Sequence, residues 1–348
     1  MAETTDAGRA FATPDTAGQR NHADQPNPTI NILLATYNGE RYLPELLDSL
    51  RAQTFADWEV LASDDDSSDG TVDVLRSYAQ RDPRIKVAST GVAHGSACAN
   101  FLSLIPRATA PYVAFCDQDD VWKPRKLEVT LARMREVEAR HADAVPVAVY
   151  TDLEVVDERL EQISPSFMTL SHMDPYRLSL ANVLVENKAA GCTMLVNRAL
   201  YHDDFRLPER VEDVGMHDWW CVLIAAALGE LAYLDEATIH YRQTGDNNVG
   251  VDAATVGGSV RRALRGANPF AKKAGEVREF ATNAAAFAET YRTRLTHEQY
   301  RLCLGCGRLL ARGRVARIAY CHQNDLLRTT PLKRLGVDLG LLACPRTR

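Results

Sequence analysis

The stretch YVAFCDQDD at residues 112–120 decides the fold. A short apolar run, long enough for one buried strand, is followed at once by three carboxylates and an amide. Two earlier segments have the same form, because residues 30–35 lead into Thr36-Tyr37-Asn38 and residues 58–63 lead into Asp64-Asp65-Asp66. Since ligands of open α/β sheets bind at the carboxyl ends of the strands, this repetition predicts a binding edge formed by the three polar clusters.

Segments with helical spacing separate these strands. The first has leucines at positions 43, 46, 47 and 50 on one stripe. Strand and helix alternate four times in about 110 residues, which predicts a mostly parallel sheet flanked by helices. Farther along, the sequence predicts strands at 147–150, 191–196, 231–234 and 238–241 and a helix that ends at Gly229.

Composition excludes several classes of protein. The chain has 348 residues, of which 46% are hydrophobic and 25% charged, and this balance excludes collagen, wholesale disorder and an integral membrane protein. No segment reaches the roughly 18 apolar residues of a spanning helix. Eight cysteines without a secretory signal predict reduced thiols in a cytoplasmic protein. No dense Cys/His set indicates zinc, and no nucleic-acid partner is expected.

Three regions differ in character. Residues 1–28 contain almost no large apolar side chains and are predicted to be a disordered leader. Residues 29–250 form the predicted α/β domain. Residues 251–348 have helical spacing and carry 18 Lys and Arg against 7 Asp and Glu, whereas the rest of the chain has 22 against 39.

The sequence leaves two possible partners for the basic region. One is the anionic inner face of the cytoplasmic membrane, with shallow insertion of Leu335, Leu339, Leu341 and Leu342. The other is the acidic part of the chain, contacted either within one molecule or across a homodimer interface.

The acidic clusters predict binding of a cation and a nucleotide. Asp117, Asp119 and Asp120 would repel one another unless a cation lay among them, and Mg²⁺ or Mn²⁺ bridging a diphosphate suits their oxygen ligands. A solvated turn that caps the next helix is the alternative. In the second cluster, one carboxylate could accept from the imide N–H of a pyrimidine, or the aspartates could serve only as turn and capping groups.

Several motifs, in this order along the chain, resemble inverting glycosyltransferases of family 2, in particular their rhamnosyltransferase-like bacterial members. They cover roughly residues 30–250 and are Ala35-Thr36-Tyr37-Asn38-Gly39, Ser63 to Thr71, Asp117 to Trp122, Tyr150-Thr151-Asp152, Gly191 to Met194, His217-Asp218-Trp219-Trp220 and Tyr241-Arg242-Gln243. The resemblance implies a GT-A type α/β fold. The chain departs from the family in having Asp66 where a glycine is usual and Thr244 where a histidine is usual.

The resemblance also implies residue roles. Thr36, Tyr37 and Asn38 would lie against the nucleotide, with Asp65 or Asp64 reading its base. Asp117 and Asp119 would hold the metal on the diphosphate, Asp119 more directly, and Asp218 would be the catalytic base. The alternative for Asp218 is a helix N-cap. The remaining candidates would line the diphosphate or the acceptor: Asp152, Trp219, Trp220, Arg242 and Gln243. The alternatives are that Trp219 or Trp220 is a core residue and that Asp152 is a satisfied polar group at the end of a strand.

The predicted reaction is transfer of a hexose from a nucleotide-sugar donor, with L-rhamnose from dTDP-L-rhamnose as the first choice. The acceptor would be a cell-surface glycan or a lipid-linked saccharide. The alternatives are a UDP-hexose donor on the same fold, and a non-catalytic module that binds glycans or nucleotides.

Overall fold

The computed structural model describes residues 27–244 and 269–346. Nearly all of the predicted leader, and residues 251–268 of the predicted basic region, therefore lie outside the described residues. The strands are β1 (Ile30–Thr36), β2 (Trp58–Asp64), β3 (Ile85–Ser89), β4 (Tyr112–Asp117), β5 (Val121–Trp122), β6 (Val147–Val156), β7 (Gln162–Ser164), β8 (Met194–Asn197) and β9 (Glu230–Arg242). The α-helices are α1 (Leu43–Arg51), α2 (Thr71–Arg81), α3 (Ala97–Leu104), α4 (Lys126–Glu138), α5 (Phe167–Leu170), α6 (Leu180–Val183), α7 (His217–Leu228), α8 (Pro269–Thr290), α9 (His297–Gly307), α10 (Arg314–Gln323) and α11 (Pro331–Ala343).

The strands form one mixed sheet in the order β3-β2-β1-β4-β8-β6-β9-β5, with β7 beside β6. β1 pairs in parallel with β2 and β4, β2 with β3, and β6 with β9. β8 is antiparallel to both β4 and β6, and β5 is antiparallel to β9. The prediction of a mostly parallel sheet flanked by helices is confirmed.

The strand register brings the polar clusters to one edge of the sheet. Thr36 pairs with Asp64 at the ends of β1 and β2, and Ala35 pairs with Asp117 at the ends of β1 and β4. The apolar residues before these ends are buried; Ile32, Val60 and Phe115, for example, have no exposed surface. The hydrophobic effect therefore fixes the strands, and the fixed strands align the carboxylates.

Two predicted strands differ from the structure. Residues 191–193, predicted as strand, form a single 3₁₀ turn before β8, because the N–H and hydroxyl of Thr193 both donate to the Ala190 carbonyl oxygen. The two strands predicted at 231–234 and 238–241 are one strand, β9. Its exposed polar residues interrupt the apolar pattern, while its pairing with β6 shifts register and then continues.

The C-terminal residues are helical, as predicted, and α8 packs on the sheet domain. Trp220 of α7 lies against the rings of Phe287 and Tyr291 of α8, with centroid distances of 5.4 and 6.1 Å. Cations of the C-terminal region pair with carboxylates of the acidic part, as in Arg294 with Asp204. Among the described residues, no helix combines the length and apolar character that crossing a bilayer requires.

Candidate active site

Hydrogen bonds tie together the loops that follow β1 and β2. The fully buried carboxylate of Asp64 accepts from the Thr36 hydroxyl at 2.9 Å and from the N–H and hydroxyl of Ser67 at 2.8 and 2.6 Å. Asn38 and Asp66 have left-handed backbones, with φ of 48° and 61°. Asp66 therefore adopts the conformation for which the family uses glycine, which aspartate tolerates better than most residues.

The loop after β4 is joined to the same unit. The side-chain amide of Gln118 accepts from the N–H of Tyr37 and donates to its carbonyl oxygen, both at 2.8 Å. The Tyr37 side chain is left exposed at this edge. Asp65, partly exposed, accepts from the backbone N–H groups of His94 and Gly95. Hydrogen bonds therefore join the three loops at this edge, where Tyr37 is exposed and Asp65 is partly exposed.

An acidic cluster lies at the end of β4. Ligand atoms of Asp117, Asp120 and Cys192 all lie within 4.8 Å of one another. Burial and the neighbouring aspartates raise the pKa of Asp117 to about 7 and that of Asp120 well above its usual range, and burial raises the pKa of Asp119. Burial also raises the pKa of the Cys192 thiol, which therefore stays protonated beside the carboxylates.

This cluster suits a divalent cation. Asp120 is fully buried, and its Oδ2 has no hydrogen-bond partner within the described part of the chain, while its Oδ1 accepts from the Arg242 N–H at 3.3 Å. A cation would offset the burial and the repulsion that raise the pKa values of Asp117 and Asp120, and carboxylate oxygens are ligands that Mg²⁺ and Mn²⁺ prefer. The structure groups Asp120 and Cys192, rather than Asp119, with Asp117. The assignment of Asp119 as a direct ligand stays a prediction.

Asp218 lies in the first turn of α7 and is nearly buried. Its Oδ2 accepts from the Gly191 N–H at 2.9 Å, and its Oδ1 accepts from the side-chain amide of Asn187 at 3.2 Å and from its neighbour, the Trp219 N–H, at 2.5 Å. Burial raises the pKa of Asp218 to about 6 despite these donors. The N-cap position belongs to Met216, so the alternative of Asp218 as the cap is wrong.

The turn at Gly191 connects the two chemical groups. Gly191 donates to Asp218, and the next residue, Cys192, lies in the cluster with Asp117. A Cβ on Gly191 would lie 2.8 Å from Nε2 of His217. The backbone therefore approaches α7 so closely that only glycine fits at this position. This turn therefore links Asp218 to the acidic cluster through one backbone hydrogen bond.

A buried ionic cluster flanks Asn187, the residue whose side-chain amide donates to Asp218. Glu186 lies 3.3 Å from the Lys188 ammonium and 2.9 Å from that of Lys333 in α11, and it accepts from the hydroxyl of Thr329 at 2.7 Å. Burial opposes ionisation of Glu186, but the two lysines lower its pKa to about 2. The residue between these charges is Asn187, so the C-terminal region anchors the loop that contacts Asp218.

Of the residues predicted to line the acceptor, Trp220 is structural instead, and contact of Asp152 or Trp219 with the acceptor stays a prediction because both are held by contacts within the chain. Trp220 is fully buried beneath α8 and donates to the Arg206 carbonyl oxygen at 2.9 Å, so its ring cannot stack on a sugar. Asp152 accepts from the Ser166 hydroxyl at 2.5 Å and the Phe167 N–H at 3.1 Å at the start of α5. Trp219 is nearly buried, and its indole N–H donates to the Val183 carbonyl oxygen at 2.7 Å.

Arg242 and Gln243 lie close to the site. The Arg242 guanidinium donates to the carbonyl oxygens of Asp119 and Glu158 at 2.9 and 2.6 Å, pairs with Glu45, and lies over the ring of Tyr42. The Gln243 N–H donates to the Val156 carbonyl oxygen at 2.9 Å. Arg242 thus braces the loop that carries Asp119, and contact of either residue with a diphosphate stays a prediction.

Sequence reasoning missed five groups that contribute to this site. Gln118 and Cys192 stand inside quoted motifs, but their partners become visible only in three dimensions. Asn187 and Glu186 lie in a polar stretch without periodicity, and no local signal marks them. The N–H of Gly191 is a backbone group and has no sequence signature beyond the glycine itself.

Comparisons with known proteins found similar sequences and a similar fold. Residues 31–201 match the family model described as glycosyl transferase family 2. An uncharacterized glycosyltransferase of Nostoc sp., alr2836, is 31% identical over 228 residues, which are 63% of this chain and 66% of that protein. The dTDP-rhamnosyl transferase RfbG of Shigella flexneri is 25% identical over 228 residues, 63% of this chain and 74% of that one.

Among solved structures, S. aureus TarS in complex with UDP-GlcNAc superposes with a TM-score of 0.54 at 17% identity, covering 90% of this chain and 89% of that one. This likeness confirms the predicted GT-A type fold. The chain spans 66% of the length of the Nostoc protein and less than half of two further relatives.

Proposed function

We propose that this chain, whose residues 31–201 are a glycosyl transferase family 2 domain, transfers a hexose from a nucleotide-sugar donor to a hydroxyl group with inversion. The observation that carries the proposal is the link between Asp218 and the acidic cluster. The nearly buried carboxylate of Asp218 accepts from the Gly191 N–H, and the next residue, Cys192, has its thiol within 4.8 Å of an Asp117 carboxylate oxygen. This link supports a base and a diphosphate site beside the same sheet edge.

Asp218 is the proposed base. In an inverting transfer, a carboxylate removes the proton of the acceptor hydroxyl while that oxygen attacks the anomeric carbon from the face opposite the leaving nucleotide. The oxygen–carbon bond forms as the bond from carbon to the diphosphate oxygen breaks, and the proton passes to the carboxylate. Burial that raises the pKa of Asp218 to about 6 makes it a stronger base than an exposed aspartate, while it remains largely ionised at neutral pH.

The nucleotide would lie along the loops after β1, β2 and β4. Of the two candidates for reading the base, we assign Asp65, because Asp64 is fully buried and its oxygens accept from Thr36 and Ser67. Asp65 is partly exposed beside the open Tyr37 ring. A carboxylate there can accept from the imide N–H of thymine or uracil alike.

The acidic cluster would hold Mg²⁺ or Mn²⁺ through carboxylate oxygens of Asp117 and Asp119, and Oδ2 of Asp120, whose other oxygen accepts from the Arg242 N–H, is a further candidate ligand. When bound, such a cation neutralises charge that develops on the leaving diphosphate. Arg242 fixes the position of the loop by donating to the Asp119 carbonyl oxygen and to the Asp120 carboxylate.

The proposed donor is dTDP-L-rhamnose, and a UDP-hexose is the second candidate. The sequence resemblance to rhamnosyltransferase-like enzymes and the name of the S. flexneri relative favour the first. The second is favoured by the structural neighbour TarS, whose complex contains UDP-GlcNAc. The proposed acceptor is a cell-surface glycan or a lipid-linked saccharide.

A donor panel tests the proposal. The purified protein is incubated with Mn²⁺ and each of several nucleotide sugars, and release of nucleoside diphosphate and the anomeric configuration of the product are measured. We expect release from one donor, inversion at the anomeric carbon, and loss of turnover in Asp218→Asn and in excess chelator. Asp73→Asn, an exposed aspartate on α2, is the matched control and should retain full activity.

Three results would contradict parts of this proposal. Retention of configuration at the anomeric carbon would contradict a direct attack by the acceptor hydroxyl assisted by one base. Full activity in excess chelator, or in Asp119→Asn, would contradict the proposal that activity needs a divalent cation held by Asp117 and Asp119. A melting temperature that rises with nucleotide and Mn²⁺, without turnover of any donor, would favour the non-catalytic binding module.

A further inference from the structure

The last helix exposes an apolar stripe. On α11, Leu332 is 79% exposed, Leu335 53%, and Leu339 and Leu342 38% each. Their spacing of three, four and three residues places them on one face of the helix. We call these four leucines the α11 stripe. Leu341, which the sequence assigned to membrane insertion, is instead fully buried, because it lies on the opposite face.

The opposite face of α11 holds the helix firmly in place. Val337, Gly340 and Leu341 are buried, and a Cβ on Gly340 would lie 2.6 Å from the carbonyl oxygen of Lys273 in α8. The helix therefore cannot roll to bury the stripe without losing this contact. Within the described ranges, other parts of the chain leave Leu332 and Leu335 mostly uncovered and cover Leu339 and Leu342 in part.

Exposed arginines border one end of the stripe. The guanidinium of Arg317, in the first turns of α10, donates to the carbonyl oxygens of Leu341 and Cys344 at 2.9 and 2.8 Å. This contact places the start of α10, with exposed Arg314 and Val315, beside the end of α11. Arg346, also exposed, follows Leu342 and donates to the Ala311 carbonyl oxygen at 2.9 Å.

We propose that the α11 stripe, with Val315 and these arginines, docks on an anionic lipid bilayer and inserts its leucines to headgroup depth. A helix face with several apolar side chains beside cations is the arrangement that binds such a surface. A second copy of the chain is a poorer partner. Residues 269–346 carry 14 Lys and Arg against 6 Asp and Glu, so two such regions would repel each other.

Vesicle sedimentation with the full chain tests this docking. The vesicles contain phosphatidylcholine alone or phosphatidylcholine with phosphatidylglycerol, each at low and high salt. We expect binding only to the anionic vesicles at low salt. The diagnostic variant is Leu335→Glu, and its matched control is Ile163→Glu on β7, where the native side chain is 56% exposed. Leu335→Glu should weaken binding by about tenfold or more, and Ile163→Glu should leave it unchanged.

The charged border has its own test. Arg314→Glu should weaken binding at low salt and reduce its salt dependence, since one contact with the anionic surface is lost and a repulsive one added. Equal binding by the wild type and Leu335→Glu, or no binding of the wild type to anionic vesicles, would overturn the proposal. A dimer seen by light scattering and lost in Leu335→Glu, without vesicle binding, would assign the stripe to a second copy. Vesicle binding requires no turnover, so Asp218→Asn should bind like the wild type, and failure here would leave the proposed transferase activity untouched.

Discussion

Asn187 donates a hydrogen bond from its side-chain amide to the carboxylate of Asp218 at 3.2 Å. With the N–H groups of Gly191 and Trp219, it is one of three donors directed at the base. These donors favour the ionised carboxylate, whereas burial opposes it. The basicity and orientation of Asp218 are therefore set partly by a loop outside the helix that carries it.

Asn187→Ala should impair catalysis through the base. Loss of the donor raises the pKa of Asp218 further and loosens its side chain, so we expect kcat at neutral pH to fall by about 10- to 100-fold, with partial recovery at higher pH. The measurement is the pH dependence of kcat. Asn182→Ala, which removes a buried amide bonded to Asp325, is the matched control and should leave the pH profile unchanged. An unaltered profile in Asn187→Ala would show that this amide has only a structural role.

The pH dependence of stability should report the cost of keeping Asp218 buried. Its pKa is about 6 in the folded chain, against 3.8 for an ordinary aspartate. Between these values the folded state binds the proton more strongly, so this group's contribution to stability falls as pH rises from about 4 to about 6 and stays low above that. Asp218→Asn cannot ionise and should gain in melting temperature relative to wild type between pH 4 and pH 7. A difference independent of pH would contradict the raised pKa.

The sheet and its binding edge could be predicted because both depend on local pattern. Apolar runs of strand length report burial directly, and a polar cluster after each run lies at the same edge once the strands are parallel. The motif around Asp218 identifies the residue, but it does not tell which way its neighbours point. Consecutive helix residues are about 100° apart, so Asp218, Trp219 and Trp220 cannot all face one site. The helix turns Trp220 toward α8.

The support behind the base could not be predicted for a different reason. Glu186 and Lys333 are 147 residues apart, and their contact exists only because the C-terminal helices fold back on the sheet domain. Nor does a surplus of positive charge tell which cations are paired. Lys333 contacts Glu186, so part of this charge pairs with the acidic part of the chain, whereas Arg314 and Arg346 are exposed and their contact with a membrane stays a proposal.

Trp220 should matter for stability and not for acceptor binding. Trp220→Ala leaves a cavity between α7 and α8 where the rings of Phe287 and Tyr291 now pack, at an expected cost of about 3–5 kcal/mol in the free energy of unfolding. Phe287→Ala, on the other side of the contact, should cost a similar amount. Denaturant unfolding measures both. For Trp220→Phe, the milder variant, KM for the acceptor should be unchanged. A large rise in this KM would show instead that Trp220 contacts the acceptor sugar.

Lys333→Ala tests whether the contact of the C-terminal region with Glu186 contributes to catalysis. The substitution removes one of two cations from the buried Glu186, so the loop that carries Asn187 should become mobile and kcat should fall by about tenfold, with little change in donor KM. Lys333→Arg keeps the charge and should restore much of the rate, and Arg308→Ala, at an exposed site on the same region, should have no effect. Because the loss acts through Asn187, the double variant Lys333→Ala/Asn187→Ala should be no slower than Asn187→Ala alone. If the losses of kcat multiply in the double variant, the ionic cluster does not act on Asp218 through Asn187. A lower melting temperature with normal kcat per folded molecule would show that the ionic cluster contributes only to stability.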